Sequence, residues 1–266
     1  MKKGGAVGLK FRKALAALLT LTLLVSPGAC GGGHEPRGDE ITVAAAANLT
    51  DAFGEIAKRF EARTGVRVTN SFGATADLAR QIENGAPFDV FASADVGHVE
   101  ALARGGLLAD APRVVYARGR LVLWLPPGGK ARVARAEDLA GEGVTKVAIA
   151  KPDVAPYGRA AVEALNALGL WAKVEPKVVY SQTVAQAKQF AASGNAEAAF
   201  VPRSLVRDGE GRAIEIDARL HAPIEQAAGV VRASKRQEEA RRFVEFLLSE
   251  EGQSVLRSFG YDTPAK

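Results

Sequence analysis

The chain has 266 residues, 47% of them hydrophobic and 24% charged, with a single cysteine and three histidines. A lone cysteine excludes an internal disulfide, and so few sulfur and imidazole ligands argue against a zinc site. The formal charge of +5 sits at the N-terminus. Five of the 35 basic residues precede residue 30, and without them 30 basic side chains face 30 acidic ones, which leaves no excess for a nucleic-acid-binding face.

Lys2, Lys3, Lys10, Arg12 and Lys13 form the basic start of an export signal. The apolar run ALAALLTLTLLV (14–25) has 12 residues, too few to span a bilayer comfortably. SPGAC then ends at Cys30 and is followed by Gly31, Gly32 and Gly33, which resembles a bacterial lipoprotein cleavage site, with Pro27 where such sites usually carry Leu. Residues 1–30 are therefore expected to be a signal peptide or lipoprotein signal. Cys30 would be the lipidated mature N-terminus and residues 31–39 a flexible tether.

From residue 41 onward, strand-like and helix-like segments alternate. ITVAAAA (41–47) leads into a helix over 49–63, whose apolar positions Leu49, Ala52, Phe53, Ile56, Ala57 and Phe60 recur at steps of three and four. Strand 66–72 leads to helix 76–84, and strand 89–94 to helix 96–104. Strand 120–126 follows a turn; strand 146–150 leads to helix 158–168, and strand 177–180 to helix 184–193. Further strands fall at 198–202, 213–216 and 227–233, and helices at 236–249 and 251–258 close the chain. A glycine just past most of the helices is the preferred C-cap. Such alternation predicts an α/β fold with parallel sheets, in which ligands sit beyond the carboxyl ends of strands.

The catalytic inventory is thin. His34, His98 and His221 lie in no nucleophile or metal motif, and neither G-x-S-x-G, H-E-x-x-H nor a P-loop is present. What the chain offers is neutral donors at four strand-to-helix turns: Asn48, Thr75 after SFGAT, Tyr157 after VAPYG, and Val184 after YSQT. Each turn can present backbone N–H groups at a helix N-terminus, where anions bind, and Asn48, Thr75 and Tyr157 can add side-chain donors. Taken singly, Asn48 and Thr75 also read as plain N-caps, Tyr157 as a half-buried aromatic, and Val184 as an ordinary helix residue. A site built only from neutral donors has no acceptor for a bound proton, so it favours a fully ionised tetrahedral dianion.

AAAANLTDAF, SFGATADLARQIENGAPFDVFASAD, VAIAKPDVAPYG and FVEFLLSEEGQSVLRSFGY resemble the periplasmic molybdate-binding proteins of ABC importers (ModA-type), over roughly residues 40–262. The resemblance implies a type II periplasmic binding protein fold: two Rossmann-like α/β lobes joined by two crossing strands. Lobe 1 would hold 40–118 plus 227–266, and lobe 2 would hold 119–226. It further implies molybdate or tungstate bound as the oxyanion by Asn48, Thr75, Tyr157 and Val184, with Ala47 and Ala74 flanking. No directly coordinated metal, cofactor or catalytic residue is expected. The implied partner is a membrane permease, and the implied state is a monomer. Pro202 stands where some members carry a tyrosine, so one donor is missing. Lys151 stands where the family often has an acid, and reads as a positive group near the cleft or as a solvated surface lysine. Asp95 is expected to cap the helix after it.

Other readings stay open. Sulfate or another oxyanion would suit the same turns. Ferric iron usually takes adjacent tyrosines, and Tyr116, Tyr157, Tyr180 and Tyr261 are not adjacent. An exported α/β hydrolase would need a base near a nucleophile. A sensor or adhesion module would leave the cleft without a role.

Overall fold

The computed structural model describes residues 39–129 and 131–264. The export signal, Cys30 and the start of the tether lie outside the described residues. The elements are, in order, β1 (Glu40–Ala46), α1 (Thr50–Thr64), β2 (Arg67–Gly73), α2 (Thr75–Glu83), β3 (Val90–Ser93), α3 (Val96–Arg104), β4 (Leu108–Gly119) and β5 (Leu121–Leu125). There follow β6 (Val147–Ala150), α4 (Pro156–Ala167), the single turn α5 (Trp171–Val174), β7 (Val178–Ser181), α6 (Val184–Ala192), β8 (Ala198–Pro202), β9 (Arg212–Glu215) and β10 (Ile224–Val231). Helices α7 (Gln237–Leu248) and α8 (Glu250–Ser258) end the fold.

Two five-stranded sheets result, ordered β2-β1-β3-β10-β4 and β7-β6-β8-β5-β9. In the first, β1 runs parallel to β2 and β3, while β10 is antiparallel to β3 and β4. In the second, β6 runs parallel to β7 and β8, while β5 is antiparallel to β8 and β9. The chain crosses from the first sheet to the second at Gly119–Leu121 and returns between β9 and β10. The central parallel strands are buried on both faces, so they read as unbroken apolar runs such as VAAA in β1 and VAIA in β6.

One apolar cluster holds residues of both sheets, among them Ile41, Val43, Leu123 and Ile149. Phe53 and Phe60 of α1 meet Phe243 edge-on at centroid distances of 5.9 and 5.3 Å, and Tyr116 of β4 tilts against Phe53 at 6.0 Å. The C-terminal helices thus fold back onto the first sheet through aromatic packing.

Several expectations need adjustment. The segment 108–119 is a long strand, although Asp110, Pro112 and Arg113 interrupt its apolar pattern. β10 begins at Ile224, earlier than expected. Residues Ala47–Leu49 form a 3-10 turn, so α1 starts at Thr50. Helix α4 starts at Pro156, an N1 proline preset for the first turn.

Candidate functional site

The turns after β1, β2, β6 and β7 converge. Asn48, Thr75, Tyr157 and Val184 line one pocket with about 220 Å³ of empty space, counting the part that opens to solvent, and small residues such as Gly73, Ala74, Ala94 and Ala155 line it with them. The four side chains proposed from sequence therefore share one wall-to-wall site, two from each sheet. No charged side chain lines it. Asn48, Thr75, Tyr157 and Val184 are 1%, 2%, 2% and 4% exposed.

Three of the four helix starts here lack a side-chain cap. Ala46, Ala74 and Ala155 hold the N-cap positions before the 3-10 turn at Asn48, before α2 and before α4. Alanine cannot supply the oxygen that a helix N-terminus normally recruits, so the Thr75 and Tyr157 N–H groups stay available to a ligand, while the Ala76 N–H is taken by the Val154 carbonyl and Pro156 has none to give. Asn48 and Thr75 are thus not N-caps. Helix α6 differs: Thr183 accepts from the Gln186 N–H at 3.1 Å, leaving the Val184 N–H at position N1.

Two hydroxyls add to these backbone donors. Thr75 Oγ1 accepts from the Ala94 N–H at 3.3 Å, and the Tyr157 phenol oxygen accepts from Gln226 Nε2 at 2.8 Å. Neither hydroxyl donates to a protein group among the described residues. Burial foremost, with Tyr261 and Tyr116 nearby, pushes the Tyr157 pKa well above the ordinary tyrosine value, so its proton stays in place.

The side-chain donor expected from Asn48 is spent inside the protein. Its Nδ2 donates to Gln226 Oε1 and to the Tyr261 hydroxyl, both at 2.8 Å. Its carbonyl accepts from Tyr261 and from Ser204 Oγ, also at 2.8 Å. Of its donors, only the backbone N–H remains for the cavity. Gln226, fully buried, was not singled out from sequence. Its Oε1 also lies 3.2 Å from the Tyr116 hydroxyl, whose proton it shares with the Ser93 carbonyl at 3.1 Å. The signal was an amide beside Glu225 at the start of an otherwise apolar strand; a strand begun at 227 leaves that amide in a loop.

Contacts around the cavity tie the two sheets together. Asp95 caps α3 by accepting from the His98 N–H at 3.0 Å, as expected, and also pairs with Arg159 of α4 at 3.0 Å. Burial raises the Asp95 pKa, but hydrogen bonds from His98 and the charge of Arg159 outweigh it and hold the carboxyl below its ordinary value. Gln182 donates to Asp77 at 2.5 Å, and the Ala76 N–H donates to the Val154 carbonyl at 3.2 Å. Lys151 is exposed, and Pro202 pairs with Leu121 at the end of β8; neither lines the cavity. Among the described residues, no group of three His, Cys, Asp or Glu could hold a metal ion.

Residues 41–262 match the family model of bacterial extracellular solute-binding proteins. The chain is 35% identical over 253 residues to the molybdate-binding protein ModA of Rhodobacter capsulatus, covering 95% of this chain and 96% of that protein. It is 39% identical over 226 residues to ModA of Azotobacter vinelandii, covering 84% and 89%. The solved periplasmic molybdate-binding protein of Azotobacter vinelandii superposes with a TM-score of 0.80 at 31% identity, over 85% of this chain and all of that one. Architecture and sequence agree on the type II periplasmic binding protein fold. The chain belongs to the bacterial extracellular solute-binding proteins, in the family that includes the ModA proteins.

Proposed function

We propose that this protein captures molybdate, and tungstate with it, outside the cytoplasmic membrane and delivers it to the permease of an ABC importer. The observation that carries this reading is an uncharged pocket holding two buried hydroxyl protons without protein acceptors beside three helix starts that lack a side-chain cap. Such a lining is rich in neutral donors. It suits an anion with no proton of its own.

In this reading the two sheets belong to two lobes, 40–118 plus 227–266 and 119–226, which close on the anion about the crossing segments. Asn48 gives its backbone N–H, Thr75 and Tyr157 their hydroxyls and helix-start N–H groups, and Val184 its backbone N–H. Each hydrogen bond to a charged group contributes about 1.5–3 kcal/mol. Several together exceed an association cost of about 4–15 kcal/mol, so submicromolar binding, about −8 kcal/mol, needs no arginine or lysine in the cavity. Selection against sulfate follows from size, because a smaller tetrahedron stretches bonds set for longer metal–oxygen distances. Cys30, lipidated, would hold the protein at the membrane face where the permease sits.

Titration calorimetry with molybdate, tungstate, sulfate and phosphate tests the reading. Tight, selective heats for the first two are expected. Equal affinity for sulfate would remove the size argument and make sulfate the better assignment.

A further inference from the structure

We infer that Gln226 is a positioning residue that fixes the hydrogen-bond polarity of the cavity by holding the Tyr157 hydroxyl as a donor toward the bound anion. The inference rests on the oxyanion reading above and goes beyond it, since Gln226 does not line the cavity.

The direction of each bond can be followed from one fixed end. The Asn48 carbonyl can only accept, and Tyr261 sits 2.8 Å from it, so the single phenol proton of Tyr261 goes there. The Tyr261 oxygen, 2.8 Å from the Asn48 amide, must then accept, which makes the facing atom of that amide its NH2 group. The second hydrogen of the same NH2 points to Gln226 at 2.8 Å, so the facing atom of Gln226 is its oxygen. The single Tyr116 phenol proton lies between that oxygen, at 3.2 Å, and the Ser93 carbonyl, at 3.1 Å, so the assignment of Gln226 rests on the Asn48 amide. The other end of Gln226 is therefore NH2, and it donates to the Tyr157 oxygen at 2.8 Å. With that lone pair engaged by a donor, the Tyr157 proton is left to the cavity.

The relay joins both sheets. Asn48 follows β1, Gln226 lies on β10, and Tyr157 starts α4 under the second sheet. A register shift in the β10–β4 pairing falls between Gln226 and Ala227, where a local kink re-aims side chains. Gln226 is 0% exposed, so water does not compete for its bonds.

Inorganic phosphate near neutral pH carries a proton that needs an acceptor. While Gln226 occupies the Tyr157 oxygen, the cavity offers none from that residue. Replacing the amide with an apolar side chain of similar length frees a lone pair and lets the hydroxyl turn either way.

The test is a double-mutant cycle read by calorimetry at pH 7.5 with sodium molybdate and inorganic phosphate as probes. The four proteins are wild type, Gln226→Met, Tyr157→Phe and the double variant. With Tyr157 present, Gln226→Met should weaken molybdate about tenfold or more, the scale of one charge-assisted bond, and raise phosphate affinity relative to molybdate. In the Tyr157→Phe background the same change should cost under about threefold, since two residues acting through one bond are not additive. Equal losses in both backgrounds, or an unchanged phosphate-to-molybdate ratio, would overturn the role assigned to Gln226. Should Gln226→Met not fold, Gln226→Leu, which likewise offers no donor, replaces it in the same cycle with the same outcomes. A wild-type protein that gives no heat with molybdate sinks the functional reading itself; tight wild-type binding with an additive cycle sinks only the part played by Gln226.

Discussion

Among single residues, Val184 separates backbone from side-chain recognition most cleanly. Its place was legible in the sequence because the helical spacing starts there; its chemistry was not, because a valine offers a ligand only its amide. Val184→Ala should keep molybdate affinity within about threefold, since the N–H survives. Val184→Pro should fold, because position N1 tolerates proline and Thr183 is already extended at φ −132° and ψ 160°. It should nonetheless lose affinity tenfold or more by calorimetry, on the order of one charge-assisted bond. Asn48 is the opposite case. Sequence marked it as a capping or ligand-facing amide, yet that amide is committed to Gln226 and Tyr261. Asn48→Ala should therefore lower unfolding free energy by about 1–3 kcal/mol in urea titrations, the cost of leaving buried partners unsatisfied. These contacts span 178 and 213 positions of sequence, so no local pattern could have announced them.

Among elements, the strand–helix alternation was readable because buried parallel strands and amphipathic helices have different periods. Strand β4 was not. Asp110, Pro112 and Arg113 break its period, and pairing with β10 alone gives it its shape. Helix α3 meets α4 through Asp95 and Arg159, a contact that sequence could not supply although it marked Asp95 as a cap. The folded-state pKa of Asp95 is depressed, so the carboxylate contributes stability that is fully present above the unfolded value of about 3.9 and fades as the pH falls through the folded one. Thermal melts across about pH 3–6 should thus show Asp95→Asn less stable than wild type at the upper end and closer to it at the lower. A constant gap across that range would assign the loss to something other than charge. Packing between elements sets a separate scale. Phe243→Ala, which removes the ring that joins α7 to Phe53 and Phe60, should cost about 3–5 kcal/mol in denaturant midpoints.

Across the whole molecule, the proposed function makes ligand binding and closure one equilibrium. Under the proposed function, an anion that binds only the closed form stabilises it by about 2.7 kcal/mol at 100 times its dissociation constant. For a chain of this size that is a rise of about 5–11 °C in Tm, read by scanning calorimetry with excess molybdate. Small-angle scattering should show the radius of gyration falling on addition of molybdate. Arg159→Ala, which removes a tie between the halves, should enlarge the gap between empty and loaded forms. If scattering is unchanged by saturating molybdate, closure is complete without ligand. The α/β character was legible from the order of segments, and the two-lobe architecture only from the family resemblance. The shared cavity was legible only as four similar turns, because their meeting depends on how two sheets face each other.

Gly119 is the last residue of β4, one step before the chain leaves the first sheet. A methyl group there would overlap the Tyr157 hydroxyl, and Gln226 Nε2 would stand 2.8 Å from it. The phenol of one half thus rests on bare backbone at the very joint about which the halves are proposed to swing. Under the proposed function, bending that joint and unseating the phenol would be a single motion. A permease that pried the jaws apart would strip a donor from the cargo in the same stroke, with no separate trigger inside the pocket.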